Sequence, residues 1–152
     1  MKGKRTDLQT DACAIARSLD VIGDWWSLLI VRDAFRERRR FGEFQMSLGL
    51  AKNILTTRLR KLVAEGIMGM VPASDGSAYS EYVLTEKGES LYLVIVALWQ
   101  WGETYAFAPG ELNTALVAGE KRKRLAPLEL RTRDGRIVGP RDFMWINKLR
   151  TQ

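Results

Sequence analysis

The chain has 152 residues, of which 46% are hydrophobic and 28% charged, a composition that predicts a globular protein with a core of its own. It contains no histidine and one cysteine, Cys13, which argues against an internal disulfide and against the common zinc and iron–sulfur sites. The net charge of +6 is uneven, because residues 36–61 carry eight Lys or Arg and only two Glu. Such a density of positive charge suits a polyanionic partner, and taken alone it fits a solvated basic surface equally well.

Several functional classes are not expected. The longest apolar run, residues 91–99, is shorter than the roughly 20 residues that a membrane helix needs. Residues 1–7 have positive charges with no apolar segment behind them, so we expect no secretion signal, no membrane partner and a cytoplasmic location. No nucleophile elbow, phosphate loop or recognisable carboxylate pair occurs, so we expect neither an enzyme nor a cofactor.

The first predicted elements are two helices. Asp24 precedes apolar residues at three- and four-residue spacing up to Phe35, the pattern of an N-capped helix. An earlier helix is predicted from Ala12 to Val21, with Gly23 at its end. We expect this pair of helices to form the core.

A helix-turn-helix follows. Phe41, Phe44 and Leu48 have the spacing of a short helix that Gly49 ends. A second helix is predicted from Ala51 to Glu65, with its apolar side formed by Ile54, Leu55, Leu59, Leu62 and Val63. Two helices joined by a tight turn containing glycine are typical of a DNA-binding unit.

The other side of this second helix has side chains suited to a major groove. Arg and Asn can pair with base edges, Thr can meet a phosphate or a thymine methyl, and Lys can neutralise phosphate. The predicted DNA contacts on and before this helix are Arg39, Arg40, Lys52, Asn53, Thr56, Thr57, Arg60 and Lys61. Arg58 projects to the apolar side, where we expect it to anchor the helix, with Glu43 as its candidate partner.

A β-hairpin is predicted next. Two β-prone runs, residues 67–71 and 81–84, flank an Asp75-Gly76 turn, and a hairpin directly after a helix-turn-helix is a wing. No Lys or Arg lies in residues 72–80, so phosphate contacts by the wing are expected from Ser74, Ser77, Tyr79 or backbone amides.

A long helix is predicted from Thr85 to about Phe107. Residues 91–99 are apolar all round, so we expect a second subunit to cover this helix in a homodimer. The predicted dimer contacts are Leu91, Val94, Ile95, Leu98, Trp99 and Trp101. A set of aromatic residues could instead line an effector pocket, although packing is the favoured role; the set is Trp25, Trp99, Trp101, Tyr105 and Phe107.

The remaining residues are assigned to an extension. We predict a DNA-binding and dimerisation domain over residues 1–110 and a C-terminal extension over residues 111–152. Residues 120–124 are interpreted as a basic linker or helix end. Residues 128–138 alternate around Asp134-Gly135, which predicts a second hairpin that Pro140 closes. Whether the extension packs on the core, extends the dimer contact or lines a pocket stays open.

The ordered set of motifs resembles the HxlR-type branch of bacterial winged helix-turn-helix transcriptional regulators, relatives of the MarR group. The motifs are Cys13, residues 19–24 with 26–30, Arg40-Phe41 with Phe44-Gln45, Asn53-Ile54-Leu55-Thr56 with Arg58-Leu59 and Leu62, Gly66-Ile67, and residues 81–88. A departure is Met70, where the family commonly has an Arg.

The resemblance implies an obligate dimer joined through its first and last helices, which binds a palindromic operator as a repressor or an activator. It also implies that Cys13 occupies the place of a cysteine that senses oxidants or electrophiles in some members, although a small core residue is the commoner role of such a cysteine.

The expected fold is therefore mainly α with a small β wing, an α+β winged helix-turn-helix. The expected function is sequence-specific binding of double-stranded DNA, with a small molecule or an oxidant as a candidate effector. The alternative is a winged domain that binds protein or RNA without recognising an operator, because fold alone does not settle function.

Overall fold

The computed structural model describes residues 7–146, which form two compact units that divide between Ile95 and Val96. The elements of the first unit are α1 (Ala14–Ile22), α2 (Trp25–Phe35), α3 (Phe41–Leu48), α4 (Lys52–Ala64), β1 (Met68–Pro72), β2 (Ser80–Leu84) and α5 (Glu86–Glu89). Helix α6 (Tyr92–Tyr105) begins in the first unit and continues into the second. The second unit also contains β3 (Val117–Ala118), β4 (Lys123–Arg124), β5 (Leu130–Arg131) and β6 (Ile137–Val138).

Helices α1 and α2 begin and end close to their predicted positions. Gly23 caps the end of α1, and the Asp24 carboxylate accepts hydrogen bonds from the amides of Trp26 and Ser27 at the start of α2. The expectation that both helices form the core is wrong for α1, which buries only Ile22. Ile15 and Leu19 of α1 are 56% and 53% exposed, whereas Val21 packs against the core.

The core of the first unit lies between α2, α3, α4 and the start of the hairpin. Its members are apolar side chains from elements distant in sequence, among them Phe44 from α3, which is fully buried. The fully buried apolar residues are Ile30, Val31, Phe44, Leu55, Leu59, Leu62, Ile67 and Met68. The Phe44 ring meets the Tyr82 ring edge-on, with centroids 6.5 Å apart, and this contact joins α3 to the hairpin.

The turn between α3 and α4 depends on one glycine. Gly49 has a φ of +64°, in the left-handed region, and its amide donates to the Gln45 carbonyl 2.9 Å away. This arrangement ends α3 in one residue, as glycine does without steric cost. Leu50 is buried after the turn, and α4 then begins at Lys52.

The predicted wing is present. Strands β1 and β2 pair antiparallel, with Met68 opposite Leu84 and Pro72 opposite Ser80. Gly76 has a φ of +75° in the connecting turn. The amide of Tyr82 donates to the Arg39 carbonyl at 2.7 Å, which attaches the hairpin to the residues before α3.

The long helix predicted from Thr85 is interrupted. Thr85 caps the one-turn α5, Ser90 ends it, and α6 begins at Tyr92. Gly88 lies against the Ile67 carbonyl, so closely that a Cβ atom there would stand 2.1 Å from that oxygen. The close approach of α5 to β1 therefore requires glycine and gives the chain a fixed turn before α6.

The second unit contains two short hairpins beside the C-terminal part of α6. Residues 120–124, predicted as a linker or helix end, instead form most of a turn and strand β4, because Val117–Ala118 pairs with Lys123–Arg124. The predicted hairpin around Asp134-Gly135 is confirmed as β5 and β6. Gln100 joins α6 to the extension by accepting from the Leu128 amide and donating to the Ala126 carbonyl, at 2.8 and 2.9 Å. Across residues 7–146, no helix has both the length and the apolar character to cross a membrane.

Candidate nucleic-acid interface

Helix α4 has one buried side and one exposed side. Leu55, Leu59 and Leu62 are buried in the core, whereas Asn53, Thr57 and Arg60 are exposed, as the 3.6-residue period requires. Lys52 is also exposed, and neither its ammonium nor the Arg60 guanidinium has an ion-pair partner among residues 7–146. Ile54, predicted on the apolar side, is 39% exposed.

The two threonines of α4 are partly committed to the helix. Each hydroxyl donates to the carbonyl four residues earlier, Thr56 to Lys52 at 2.8 Å and Thr57 to Asn53 at 2.9 Å. Thr57 is exposed and Thr56 is half-buried. The hydroxyl hydrogen of each threonine is therefore used within the helix, but each hydroxyl oxygen can still accept a hydrogen bond. The same intrahelical bond fixes the direction of each threonine methyl group.

Lys61 differs from the other cations of this helix. It is half-buried, and its ammonium donates to the Asp20 carbonyl at 2.7 Å. That carbonyl lies near the end of α1, where oxygen atoms lack helical partners and attract cations. Lys61 therefore holds α4 against α1, and a phosphate contact would have to replace this bond.

Arg58 anchors α4, as expected, but through a different acid. Its Nε atom lies 3.4 Å from Oδ1 of Asp24, the residue that caps α2. Burial of the Asp24 carboxyl acts to raise its pKa, but hydrogen bonds from Ser27 and the charge of Arg58 outweigh burial, so the pKa of Asp24 is lowered. The predicted partner, Glu43, instead accepts from the amides of Arg39 and Arg40 at 2.8 and 2.9 Å, and these bonds lower the pKa of Glu43.

A buried carboxylate connects α3 to the wing. Glu81 lies in β2 with its side chain almost fully buried, 3.0 Å from Nε of Arg39 and 3.8 Å from Nε of Arg40. It also accepts from the amide and hydroxyl of Ser74, at 3.2 and 2.8 Å. Hydrogen bonds from Ser74, reinforced by the two arginines, lower the pKa of Glu81.

Arg40 has a second acidic partner at the wing tip. Its guanidinium pairs with Asp75, and hydrogen bonds from Ser77 and Arg40 hold the pKa of Asp75 far below its usual range. Arg39 and Arg40, predicted as DNA contacts, are thus already paired with Glu81 and Asp75. Sequence reasoning missed both acids as partners because they lie 35 or more positions along the chain from Arg40, and only the folded hairpin brings them close.

The remaining predicted wing residues, Ser77 and Tyr79, follow Gly76 along the hairpin. Ser77 is half-buried and its amide donates to the Asp75 carboxylate at 3.0 Å, while Tyr79 is exposed. Tyr79 lines an open cavity of about 650 Å³ between α3 and the wing, together with Phe41, Met46 and Arg38 among others. The wing therefore presents the Tyr79 ring with its hydroxyl group, and no cation of its own, because the Ser74 hydroxyl donates to Glu81 and the Ser77 hydroxyl is buried.

The predicted dimer residues fall into three groups. Leu91 and Ile95 are half-buried and pack against the core of their own unit, which leaves only part of each side chain accessible to a partner. Trp99 is half-buried and lines a cavity of about 70 Å³ with residues of the extension. Val94, Leu98 and Trp101 are exposed, as are Tyr92, Leu93 and Tyr105, which the prediction omitted; none of the fourteen residues of α6 is buried.

The aromatic set considered as an effector pocket is mostly at the surface. Trp25 is 86% exposed on α2. Trp101 packs against Tyr105 with centroids 5.5 Å apart, but both rings are exposed, as is Phe107. The cavity beside Trp99 is well below the 300 Å³ or more of a typical ligand pocket.

Cys13 is exposed at the N-terminus of α1, and its thiol is free. Its amide donates to the Asp11 carboxylate at 2.8 Å. The thiol is therefore accessible, which differs from the commoner role of a small core residue.

A helix-turn-helix followed directly by an antiparallel hairpin defines the winged helix-turn-helix class. The chain belongs to the HxlR-like helix-turn-helix family, whose model matches residues 21–108. It is 43% identical over 96 residues to an uncharacterized HTH-type transcriptional regulator of Mycobacterium tuberculosis; the match covers 63% of this chain and 61% of that relative.

Solved structures agree with this assignment. The crystal structure of PA1607, a candidate transcription factor, is similar with a TM-score of 0.87 and 50% identity, over 93% of this chain and 99% of that one. The redox regulator HypR in its oxidized form is similar with a TM-score of 0.57 and 30% identity, over 63% of this chain and all of HypR. The chain is accordingly a member of the HxlR-like helix-turn-helix family with a winged helix-turn-helix fold, and the relatives that it matches are named as transcriptional regulators or transcription factors.

Proposed function

We propose that this protein is a DNA-binding transcription regulator, a homodimer that recognises a two-fold symmetric operator by placing the exposed side of α4 in the major groove. The observation that carries the proposal is the division of α4: Leu55, Leu59 and Leu62 fix the helix in the core, and Asn53 and Arg60 are left exposed on the other side. A helix held on one side by packing presents its other side in a defined orientation, as base recognition needs.

Each exposed side chain has a separate role. Arg60 donates two hydrogen bonds to a guanine, and Asn53 pairs with an adenine edge. Thr57 places its methyl group near a thymine methyl or its oxygen near a donor, with Thr56 behind it. Lys52, at the N-terminus of the helix, neutralises a phosphate.

The wing and the start of α3 supply contacts to the DNA backbone. Tyr79, exposed on the hairpin, offers its hydroxyl group to a phosphate oxygen. The Ser74 hydroxyl already donates to Glu81 and the Ser77 hydroxyl is buried, so a phosphate contact from either serine requires a rearrangement of the turn. Arg39 and Arg40 approach phosphate only while they remain paired with acids, which weakens their attraction for DNA, and Lys61 contributes by holding α4 to α1.

The homodimer is supported by apolar surface without a partner. Leu98 and Trp101 on α6 are 51% and 63% exposed, and Ile15 and Leu19 on α1 are 56% and 53% exposed. Exposed apolar side chains on neighbouring turns of a helix are typical of an interface between proteins, and a two-fold pair of subunits buries the same surface twice. Two-fold symmetry then requires half-sites about one helical turn apart.

A dimer bound at such an operator represses when its site overlaps the promoter and activates when its site lies beside it. Oxidation of the Cys13 thiol would change this binding; the exposure of the thiol and the likeness to a redox regulator support this part of the proposal. Replacement of Cys13 by Ser should leave DNA binding intact but insensitive to peroxide.

Selection from a pool of random-sequence duplexes, followed by protection mapping, tests the proposal. We expect enrichment of an inverted repeat and protection on both half-sites. Enrichment of a sequence without a dyad, or a protein that prefers single-stranded RNA to every duplex, would support the alternative of a winged domain that does not recognise an operator.

A further inference from the structure

The turn between β3 and β4 is an exposed group of positive charge in the second unit. Residues 119–122 form the turn, and Lys121, Arg122 and Lys123 are consecutive and exposed. Within residues 7–146, none of these three side chains has a salt bridge or a hydrogen bond. Glu120 is the one acid in this turn. We call Lys121–Lys123 the basic tip.

The next cation, Arg124, is placed differently. It lines the small cavity with Trp99 and Glu103 from α6. Since neighbouring residues of a strand point to opposite faces, Lys123 is directed away from that cavity. The side of the hairpin that faces away from α6 therefore presents cations without acidic partners.

The backbone of the basic tip favours a role for its side chains. Arg122 has a φ of +47°, in the left-handed region where glycine is the residue of least strain. Its amide closes the turn by donating to the Gly119 carbonyl at 3.0 Å. Arginine is more strained than glycine in this conformation. The property that arginine brings to the turn, and that glycine would lack, is a charged side chain.

The wing lacks what the basic tip offers. Residues 72–80 contain no Lys or Arg, and Arg40 at the base of the wing is already paired with Asp75 and Glu81. Phosphate neutralisation by Lys and Arg supplies most of the sequence-independent affinity of DNA-binding proteins. Among the described cations of the first unit outside α4, Arg32 pairs with Asp33, Arg17 donates to the Asp11 carbonyl and Lys87 donates to the Glu65 carbonyl, while Arg36 and Arg38 are exposed without a salt bridge.

We propose that the basic tip binds the phosphate backbone of duplex DNA, as a second contact in each subunit that does not depend on sequence. This inference rests on the proposed function, since it requires a protein that binds duplexes. The occupant is DNA phosphate because unpaired Lys and Arg side chains around an open turn provide charge and donors without a pocket that could select a small ligand.

The test compares two triple variants of the full chain, each of which removes three positive charges from the second unit. One is K121Q/R122Q/K123Q in the basic tip. The matched control is R133Q/R136Q/R141Q, which replaces exposed arginines in and after the other hairpin. Binding to a random-sequence 30-base-pair duplex is measured by fluorescence anisotropy between 50 and 300 mM KCl, with circular dichroism as the check on folding.

Each neutralised phosphate contributes about 0.9 to the slope of log K against log salt concentration, so one contact per subunit predicts a slope shallower by about 1.8 in a dimer. We expect this change in the basic-tip variant and less than half of it in the control. An unchanged slope in the basic-tip variant, or an equal change in both variants, would overturn the inference. A wild-type protein that binds no duplex would instead refute the proposed function itself.

Discussion

Asp24 links the start of α2 to α4, the helix proposed to read DNA. Its replacement should therefore lower the free energy of unfolding through three separable losses: a helix cap, a hydrogen bond to a buried hydroxyl and an ion pair. Its carboxylate accepts from the Trp26 and Ser27 amides at 3.1 and 2.9 Å and from the Ser27 hydroxyl, which is fully buried. It also pairs with Arg58, and the two side chains are 15% and 26% exposed.

The expected cost of Asp24→Ala follows from these contacts. Loss of a helix N-cap costs about 1 kcal/mol, and a buried hydroxyl left without a partner costs about 1–3 kcal/mol. A partly exposed ion pair contributes at most about 1 kcal/mol. We therefore expect Asp24→Ala to lower the free energy of unfolding by about 2–5 kcal/mol. Asp24→Asn keeps the amide oxygen as a cap and should lose no more than about 1 kcal/mol.

Wild type should also differ from both variants in its dependence on pH, because neither variant has the ionisable carboxyl of Asp24. Because the folded-state pKa of Asp24 is lowered, its ionised form stabilises the fold fully above the unfolded-state pKa of about 3.9. This contribution disappears as the pH falls through the folded-state pKa. The difference between wild type and Asp24→Asn should therefore be present at pH 7 and shrink below about pH 4.

Urea denaturation followed by tryptophan fluorescence, at one fixed protein concentration, measures these differences. Fixed concentration matters because a dimer gains apparent stability by mass action. If Asp24→Asn lost as much stability as Asp24→Ala, the charge and not the cap would dominate. If neither variant differed from wild type by more than about 0.5 kcal/mol, the capping argument would fail.

Three further predictions concern charge and assembly. Lys52→Ala should make the salt dependence of DNA binding, measured by anisotropy, shallower by about 0.9 per subunit without changing stability. Lys61→Ala should lower the free energy of unfolding in urea by about 1 kcal/mol and leave the slope of the salt dependence nearly unchanged. The reverse result for the two lysines would contradict the structure. Asp75→Asn should make the slope steeper, because Arg40 loses one of its two acidic partners, and a shallower slope would show that Asp75 acts by positioning the wing. Leu98→Glu should convert dimers to monomers in sedimentation, and dimers of unchanged affinity would exclude α6 from the interface.

Local patterns in the sequence predicted the elements of the first unit because those elements depend on local chemistry. Asp24 begins α2 as a side-chain cap, and Gly49 ends α3 by adopting a left-handed conformation. The buried and exposed sides of α4 follow from the helical period, apart from Ile54. The wing follows from two β-prone runs around Asp75-Gly76.

The features that were not predicted depend on contacts between distant residues. Glu81 meets Arg39 only after the hairpin folds back on α3, and Arg58 reaches Asp24 across two helices. The interruption of the long helix arises where Gly88 meets the Ile67 carbonyl, a contact between segments separated by the whole wing. Spacing along the chain contains no signal for any of these contacts.

The extension was the least predictable part. Residues 120–124 have the composition of a linker, but pairing of β3 with β4 makes them a turn and a strand. A two-residue strand is too short for a period to be recognised. Gln100 was not singled out either, because one polar residue on an apolar helix gives no indication that it accepts from a backbone amide 28 residues later.

A loss-of-contact experiment on Arg60 tests the central claim most directly. Each base pair of the selected operator is substituted symmetrically in both half-sites, and the affinities of wild type and Arg60→Ala are compared by anisotropy. Wild type should lose about 1–3 kcal/mol of binding free energy per half-site when one guanine position is substituted. Arg60→Ala should lose no affinity from substitution at that guanine position, and should still discriminate at every other position. If Arg60→Ala discriminated among all positions as wild type does, the exposed side of α4 would not be the surface that reads DNA.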